Sequence, residues 1–150
     1  IAHTLASGAV LIDDSYNANP GSLTAAIDTL VADAGPAWLV LGDMRELGAD
    51  GQMLHAEAGQ RAKAAGIARL YALGPLSASA VAAFGEGARH FGSHKALVEA
   101  LLADLALTTG AGADAATANL RVLVKGSRGS AMDRIVTALL SAGEDKIHAA

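Results

Sequence analysis

Short apolar runs alternate with stripes of helical period along most of this chain, and that alternation leaves few folds open. The runs are Val10–Ile12, Trp38–Leu41, Leu70–Leu73, His90–Phe91 and Val122–Val124. Leu23, Ile27, Leu30 and Val31 form a helical stripe after the first run. Met53, Leu54, Ala58, Ala62 and Ala65 form another, and Leu76, Ala80, Val81 and Phe84 a third. Leu97, Leu101, Leu102 and Leu105 precede the last run, and Met132, Ile135, Val136, Leu139 and Leu140 follow it. Such repeats build βαβ units. The first, second and fifth runs are apolar throughout, as in strands covered on both faces. The expectation is an α/β fold: a mostly parallel sheet of about five to six strands with helices on both faces. The fourth run is weak and fits an edge strand or a loop.

Punctuation supports the helices. Asn19-Pro20 suits a helix start, because Asn caps well and Pro is tolerated at the first helical position. Gly66 stops the second helix, Ser93 caps the fourth, and Gly143 is expected to close the last, leaving 143–150 as a frayed tail. Thr108–Asn119 has no usable period and reads as a loop. At 52% hydrophobic and 17% charged, the 150 residues suffice for the core of one domain, 1–150. No apolar run approaches the ~18 residues of a membrane span, and no signal pattern leads the chain. A net charge of -4 with 3% aromatics argues against a nucleic-acid partner. The absence of Cys fits a reducing compartment. The start at Ile1, without Met, suggests a piece of a longer chain, though a processed N-terminus would look the same.

Three polar loops follow strands, where ligands collect in α/β sheets. The first is Asp13-Asp14-Ser15-Tyr16-Asn17-Ala18-Asn19-Pro20. Its carboxylates suit ribose hydroxyls or a metal-bound water, and Tyr16 and Asn17 suit a nucleobase. Turn and cap formation explains Asn19 and Pro20, but not the paired Asp or the Tyr. The second is Leu41-Gly42-Asp43-Met44-Arg45-Glu46-Leu47-Gly48, in which Arg45 has the planar fork that grips a carboxylate. An internal Arg45–Glu46 pair on a surface loop fits equally well. The third is Val124-Lys125-Gly126-Ser127-Arg128-Gly129-Ser130, cations and hydroxyls leading into a helix N-terminus that favours anions, or else a Gly-Ser turn with solvated cations. It is not a Walker A loop. The five His residues lack metal-ligand spacing, and each reads as a surface or locally bonded His. No Gly-x-Ser-x-Gly elbow or Gly-x-Gly-x-x-Gly loop is present.

In order and spacing, the three loops resemble signatures of the C-terminal domain of the Mur ligases, in the subtype that adds D-Ala-D-Ala. Related enzymes carry a similar first turn, commonly with His where Asn17 stands. The resemblance spans nearly the whole chain. It implies a Rossmann-like sheet belonging to a three-domain, ATP-dependent amide ligase of the cytoplasm, expected to be a monomer. The N-terminal domain would hold the UDP part of UDP-MurNAc-tripeptide. The central domain would carry the P-loop, the Mg2+ ligands and the catalytic residues. ATP would phosphorylate the tripeptide carboxylate, and the D-Ala-D-Ala amine would displace phosphate. Without a P-loop, these residues alone are expected to be inactive, with no catalytic or metal-binding residue of their own. The resemblance places Asp14 at the ATP ribose and Tyr16 and Asn17 at adenine. It places Lys125, Ser127 and Arg128 at the D-Ala-D-Ala carboxylate, with Asn19 as a substrate contact or a stiffener of the turn, and Asp43, Arg45 and Glu46 as weaker candidates for the same cleft or for the interface that closes over it.

Two rivals remain on the residues. A receiver domain shares Asp13, Asp14 and Lys125 as a pattern, but Leu70–Leu73 runs into Gly74-Pro75 without the phospho-acceptor Asp. A stand-alone nucleotide-binding module is also compatible with the missing catalytic parts.

Overall fold

The computed structural model describes residues 1–108 and 119–149, with side chains described through residue 142. The strands are β1 (Ala2–Thr4), β2 (Val10–Asp14), β3 (Ala37–Gly42), β4 (Arg69–Leu73), β5 (Ala88–Phe91) and β6 (Arg121–Lys125). They form one sheet in the order β1-β2-β6-β3-β4-β5. β1 is antiparallel to β2, and every other pairing is parallel. The helices are α1 (Pro20–Ala32), α2 (Gly51–Ala65), α3 (Ser77–Phe84), α4 (His94–Ala106) and α5 (Asp133–Ala149).

Period-two alternation along the strands feeds two cores. Leu39 and Leu41 of β3 and Leu123 of β6 pack with Leu23, Ile27 and Leu30 of α1, and with Ala62, Ala80 and Phe84 of α2 and α3. Trp38 and Val40 of β3 and Val122 and Val124 of β6 face Leu97, Leu101 and Leu105 of α4 and Ile135 and Leu139 of α5. The helices therefore cover both faces. A Cβ on Gly59 would lie 2.2 Å from the Ala80 carbonyl oxygen, so α2 and α3 can approach this closely only over a glycine.

Local signals held where a side chain closes a backbone bond. Asn19 caps α1 in a reciprocal box with Ser22, with Pro20 at the first position. Ser93 accepts from the Ala96 N–H at the start of α4. Gly66 ends α2 at φ 97°. The weak fourth run is an edge strand, β5.

The structure adds one strand and corrects one helix end. β1 carried no apolar pattern; its three residues are exposed, half-buried and exposed, and pairing with β2 alone defines them. Gly143 does not close α5, whose backbone stays helical to Ala149. An interior Gly costs only about 1 kcal/mol relative to Ala, and Glu144, Lys146 and Ala149 are good helix formers. In the expected loop Thr108–Asn119, residues 109–118 lie outside the described residues.

The chain passes from β2 over one face to β3 and later returns to insert β6 between them. The helix after β6 lies on the opposite face. The carboxyl ends of β2, β6 and β3 thus stand side by side at a topological switch point. All three polar loops leave from there.

Candidate functional site

Adjacent parallel strands bring Asp14 and Lys125 into register. The Lys125 side chain is 2% exposed, and its Nζ donates to Asp14 Oδ2 at 2.7 Å and to the Asn17 carbonyl at 3.2 Å. The ammonium therefore ties the end of β2 to the turn that follows it. Asp13 acts inside the same turn, accepting from the Ser15 N–H at 3.1 Å and the Ser15 hydroxyl at 2.6 Å. Asn17 Oδ1 accepts from the Ala18 N–H at 2.9 Å.

Ser127 joins all three loops. Its hydroxyl accepts from the Arg45 N–H at 2.8 Å and donates to the Ala18 carbonyl at 3.2 Å. Its own N–H donates to the Asp43 carbonyl at 3.2 Å. A hydroxyl has one hydrogen to donate, so Ser127 keeps only acceptor capacity for a ligand. Asp43 is also buried, and its carboxylate accepts from the Leu76 and Ser77 N–H groups at 3.1 and 2.8 Å, holding the start of α3. Gly42, the last residue of β3, and Gly126, just after β6, lie side by side beneath Met132 and Ser130. A Cβ on either would come within 2.7 Å of both side chains.

What remains outward defines a cleft of about 480 Å³, lined by Asn17, Asn19, Arg45, Glu46, Ser127 and Arg128 together with Ala18, Leu47 and Gly129. Arg45 lies across Gly129, where a Cβ would meet its Cδ at 2.9 Å. The Arg128 guanidinium stands 5.3 Å from the centre of the Tyr16 ring, which is 72% exposed. Among the described residues neither Arg45 nor Arg128 forms an ion pair, so the alternative of an Arg45–Glu46 pair is not seen. A depression of similar volume, about 490 Å³, runs beside α1 past Ile12 and Ala26. Of the ten candidate residues only Asp14 reaches it.

The chain thus brings two exposed cations and two side-chain amides onto one cleft with an exposed aromatic ring beside it, in three motifs of fixed order. The family model described as Mur ligase, glutamate ligase domain, matches residues 2–128. The chain belongs to the Mur ligase family. Over 93% of its length it is 42% identical to UDP-N-acetylmuramoyl-tripeptide–D-alanyl-D-alanine ligase of Escherichia coli K12, covering 28% of that protein. MurF from Acinetobacter baumannii superposes with a TM-score of 0.79 at 26% identity, over 94% of this chain and 30% of that one. MurF from Thermotoga maritima, solved in complex with ADP, has the same fold at a TM-score of 0.73 and 23% identity, over 93% of this chain and 30% of that one. The chain spans under a third of the length of these relatives.

Within this Mur ligase domain the ten candidates divide. Tyr16, Asn17, Arg45, Glu46 and Arg128 are exposed at or around the cleft, and Asn19 lines it while capping α1. Asp14 is half-exposed behind it. Lys125, Ser127 and Asp43 are buried and bonded to protein. The charged groups of Lys125 and Asp43 are buried and held by protein partners in this arrangement. The third loop also does not run straight into α5. A 3₁₀ turn, Arg128–Ser130, and Ala131 at φ 55° intervene, and the first turn of α5 carries its own acid, Asp133. Ala18, Leu47 and Gly129 were missed as cleft residues, since small and apolar groups carry no chemical signal in the sequence.

Proposed function

We propose that this chain is the C-terminal domain of an ATP-dependent amide ligase that adds D-Ala-D-Ala to UDP-MurNAc-tripeptide in peptidoglycan precursor synthesis. The observation that carries this reading is the pair of exposed guanidiniums, Arg45 and Arg128, facing one cleft beside Tyr16 and Asn17. The 42% identity to the Escherichia coli ligase supports the choice of substrates.

In this reading Asp14 accepts ribose hydroxyls of ATP, and Tyr16 and Asn17 meet adenine. Arg128 and Arg45 hold the dipeptide carboxylate by charge-assisted hydrogen bonds. That grip leaves the neutral amine free to attack. Glu46 borders the same space, and Asn19 stiffens the rim. Lys125, Ser127 and Asp43 position these groups from below.

The chemistry belongs to the rest of the enzyme. ATP phosphorylates the tripeptide carboxylate, the dipeptide amine adds to the acyl carbon, and inorganic phosphate leaves as the amide forms. Among the described residues no group of three His, Cys, Asp or Glu could hold a metal ion. In this reading the Mg2+ that accompanies ATP is held mainly by the central domain, which with the N-terminal domain completes the cleft. We expect a cytoplasmic monomer; no helix among the described residues is long and apolar enough to cross a membrane.

The test is phosphate release. The full-length enzyme should release it only when MgATP, UDP-MurNAc-tripeptide and D-Ala-D-Ala are all present, and this chain alone should release none. Magnesium-dependent turnover by the isolated 150 residues would overturn the assignment.

A further inference from the structure

His55 is fully buried on α2, and no part of the proposed reaction uses it. Its ring joins two backbone groups. Nε2 accepts from the Met44 N–H at 2.9 Å, and Nδ1 lies 2.7 Å from the Gly51 carbonyl oxygen. A carbonyl only accepts, so Nδ1 carries the hydrogen, and Nε2, receiving an N–H, carries none. The pair of bonds selects one neutral tautomer.

Met44 is the middle of a three-residue strap anchored to three different elements. Asp43 holds the N-terminus of α3 and the Ser127 N–H. Met44, its side chain fully buried, is held to α2 by His55. Arg45 donates its N–H to Ser127. The chain then turns sharply at Glu46, φ 63°, a backbone conformation that non-glycine residues seldom adopt. Arg45 leaves the strap at that turn and lies across Gly129 into the cleft. Without the imidazole, the Met44 N–H would be a buried donor with no acceptor, and the strap would lose its central anchor.

We propose that His55 is a positioning residue: through the Met44 N–H it fixes the Asp43–Arg45 strap and so the placement of the Arg45 guanidinium in the cleft. This rests on the reading of Arg45 as a ligand contact. A buried apolar side chain would fill the same space without a desolvation cost, so packing alone does not call for His.

The test combines spectroscopy on this chain with kinetics on the full-length ligase. Long-range proton–nitrogen spectra of the wild type should show the Nδ1–H tautomer at His55. In His55→Phe, Met44 amide exchange should rise roughly tenfold or more, with β3 amides such as Val40 unchanged. The KM for D-Ala-D-Ala should rise about fivefold or more, with the KM for ATP unchanged within about twofold. His55→Gln, which keeps an acceptor, should recover part of both effects. An Nε2–H tautomer in the wild type would overturn the proposal even if the Phe variant does not fold. Unchanged Met44 exchange in a folded Phe variant would also overturn it. Faster Met44 exchange with unchanged KM values would overturn the positioning role if Arg45→Ala still raises the KM for D-Ala-D-Ala, and would refute the Arg45 assignment beneath it if Arg45→Ala does not.

Discussion

Strand β6 begins and ends on a buried cation, and the two ends use it differently. At the amino end, Arg121 donates to the carbonyls of Leu30, Asp33 and Gly35. These lie at and beyond the C-terminus of α1, where helix carbonyls lack partners and favour a cation. Nearby, Arg69 and the Tyr71 hydroxyl share the Asp104 carboxylate at 3.0 and 2.6 Å. At the carboxyl end Lys125 is equally enclosed, yet its partner Asp14 is 46% exposed, and two further arginines stand exposed without an ion pair among the described residues. At the amino end both Arg121 and Arg69 hold protein partners, although Asp33, the acid nearest Arg121, is 79% exposed. The other end closes a lower tier and leaves an upper tier open. Polarity alone does not mark the site; polarity left unpaired above a fixed base does.

That contrast can be broken by substitution. Arg121→Met should cost the most stability, about 3 kcal/mol, because several buried carbonyls lose a charged donor together. Chemical denaturation should report it. A cost under about 1 kcal/mol would mean that water replaces the guanidinium and the amino end is not closed.

Asp14→Ala should cost somewhat less, about 2 kcal/mol, because it strands a buried ammonium whose partner was only half-buried. Lys125→Met should cost less than Asp14→Ala, since the stranded Asp14 can hydrate. Melting curves of the two variants give the order directly. The reverse order would place the cost in Lys125 packing and not in the ion pair.

A smaller effect should appear with pH. Burial, and then the Asp104 hydrogen bond, push the Tyr71 phenol well above its ordinary 10.0. A group whose proton is held more tightly in the folded state stabilises fully below its unfolded value and loses that contribution as pH rises beyond it. Stability should therefore fall above about pH 10 more steeply in wild type than in Tyr71→Phe. Parallel pH profiles of the two would contradict this. The smallest effect on stability should come from Arg45→Ala and Arg128→Ala, each within about 0.5 kcal/mol.

The sheet apart from β1, the order of the elements and three of the four helix ends named were legible because local rules set them: period, caps and stop residues. The three loops were legible as a set because each follows a strand. Their division into two tiers was not, for it depends on bonds such as Ser127 to Ala18 and to Arg45, which join residues 109 and 82 positions apart. One clue to Lys125 was present. Alternation along β6 puts it on the face of Leu123, which α1 covers, so a Lys there tends inward. His55 gave no such clue, because a lone His on a helix carries no mark of the backbone group that it will meet.

The central claim is that the exposed arginines bind and the buried residues beneath them position. It is tested most directly by the KM for D-Ala-D-Ala in full-length enzyme carrying Arg45→Ala and Arg128→Ala together. The account predicts a rise of about tenfold or more with a melting temperature nearly unchanged, since two charge-assisted contacts to the carboxylate are lost and, within the domain, only the exposed Arg128–Tyr16 contact goes with them. An unchanged KM would contradict it.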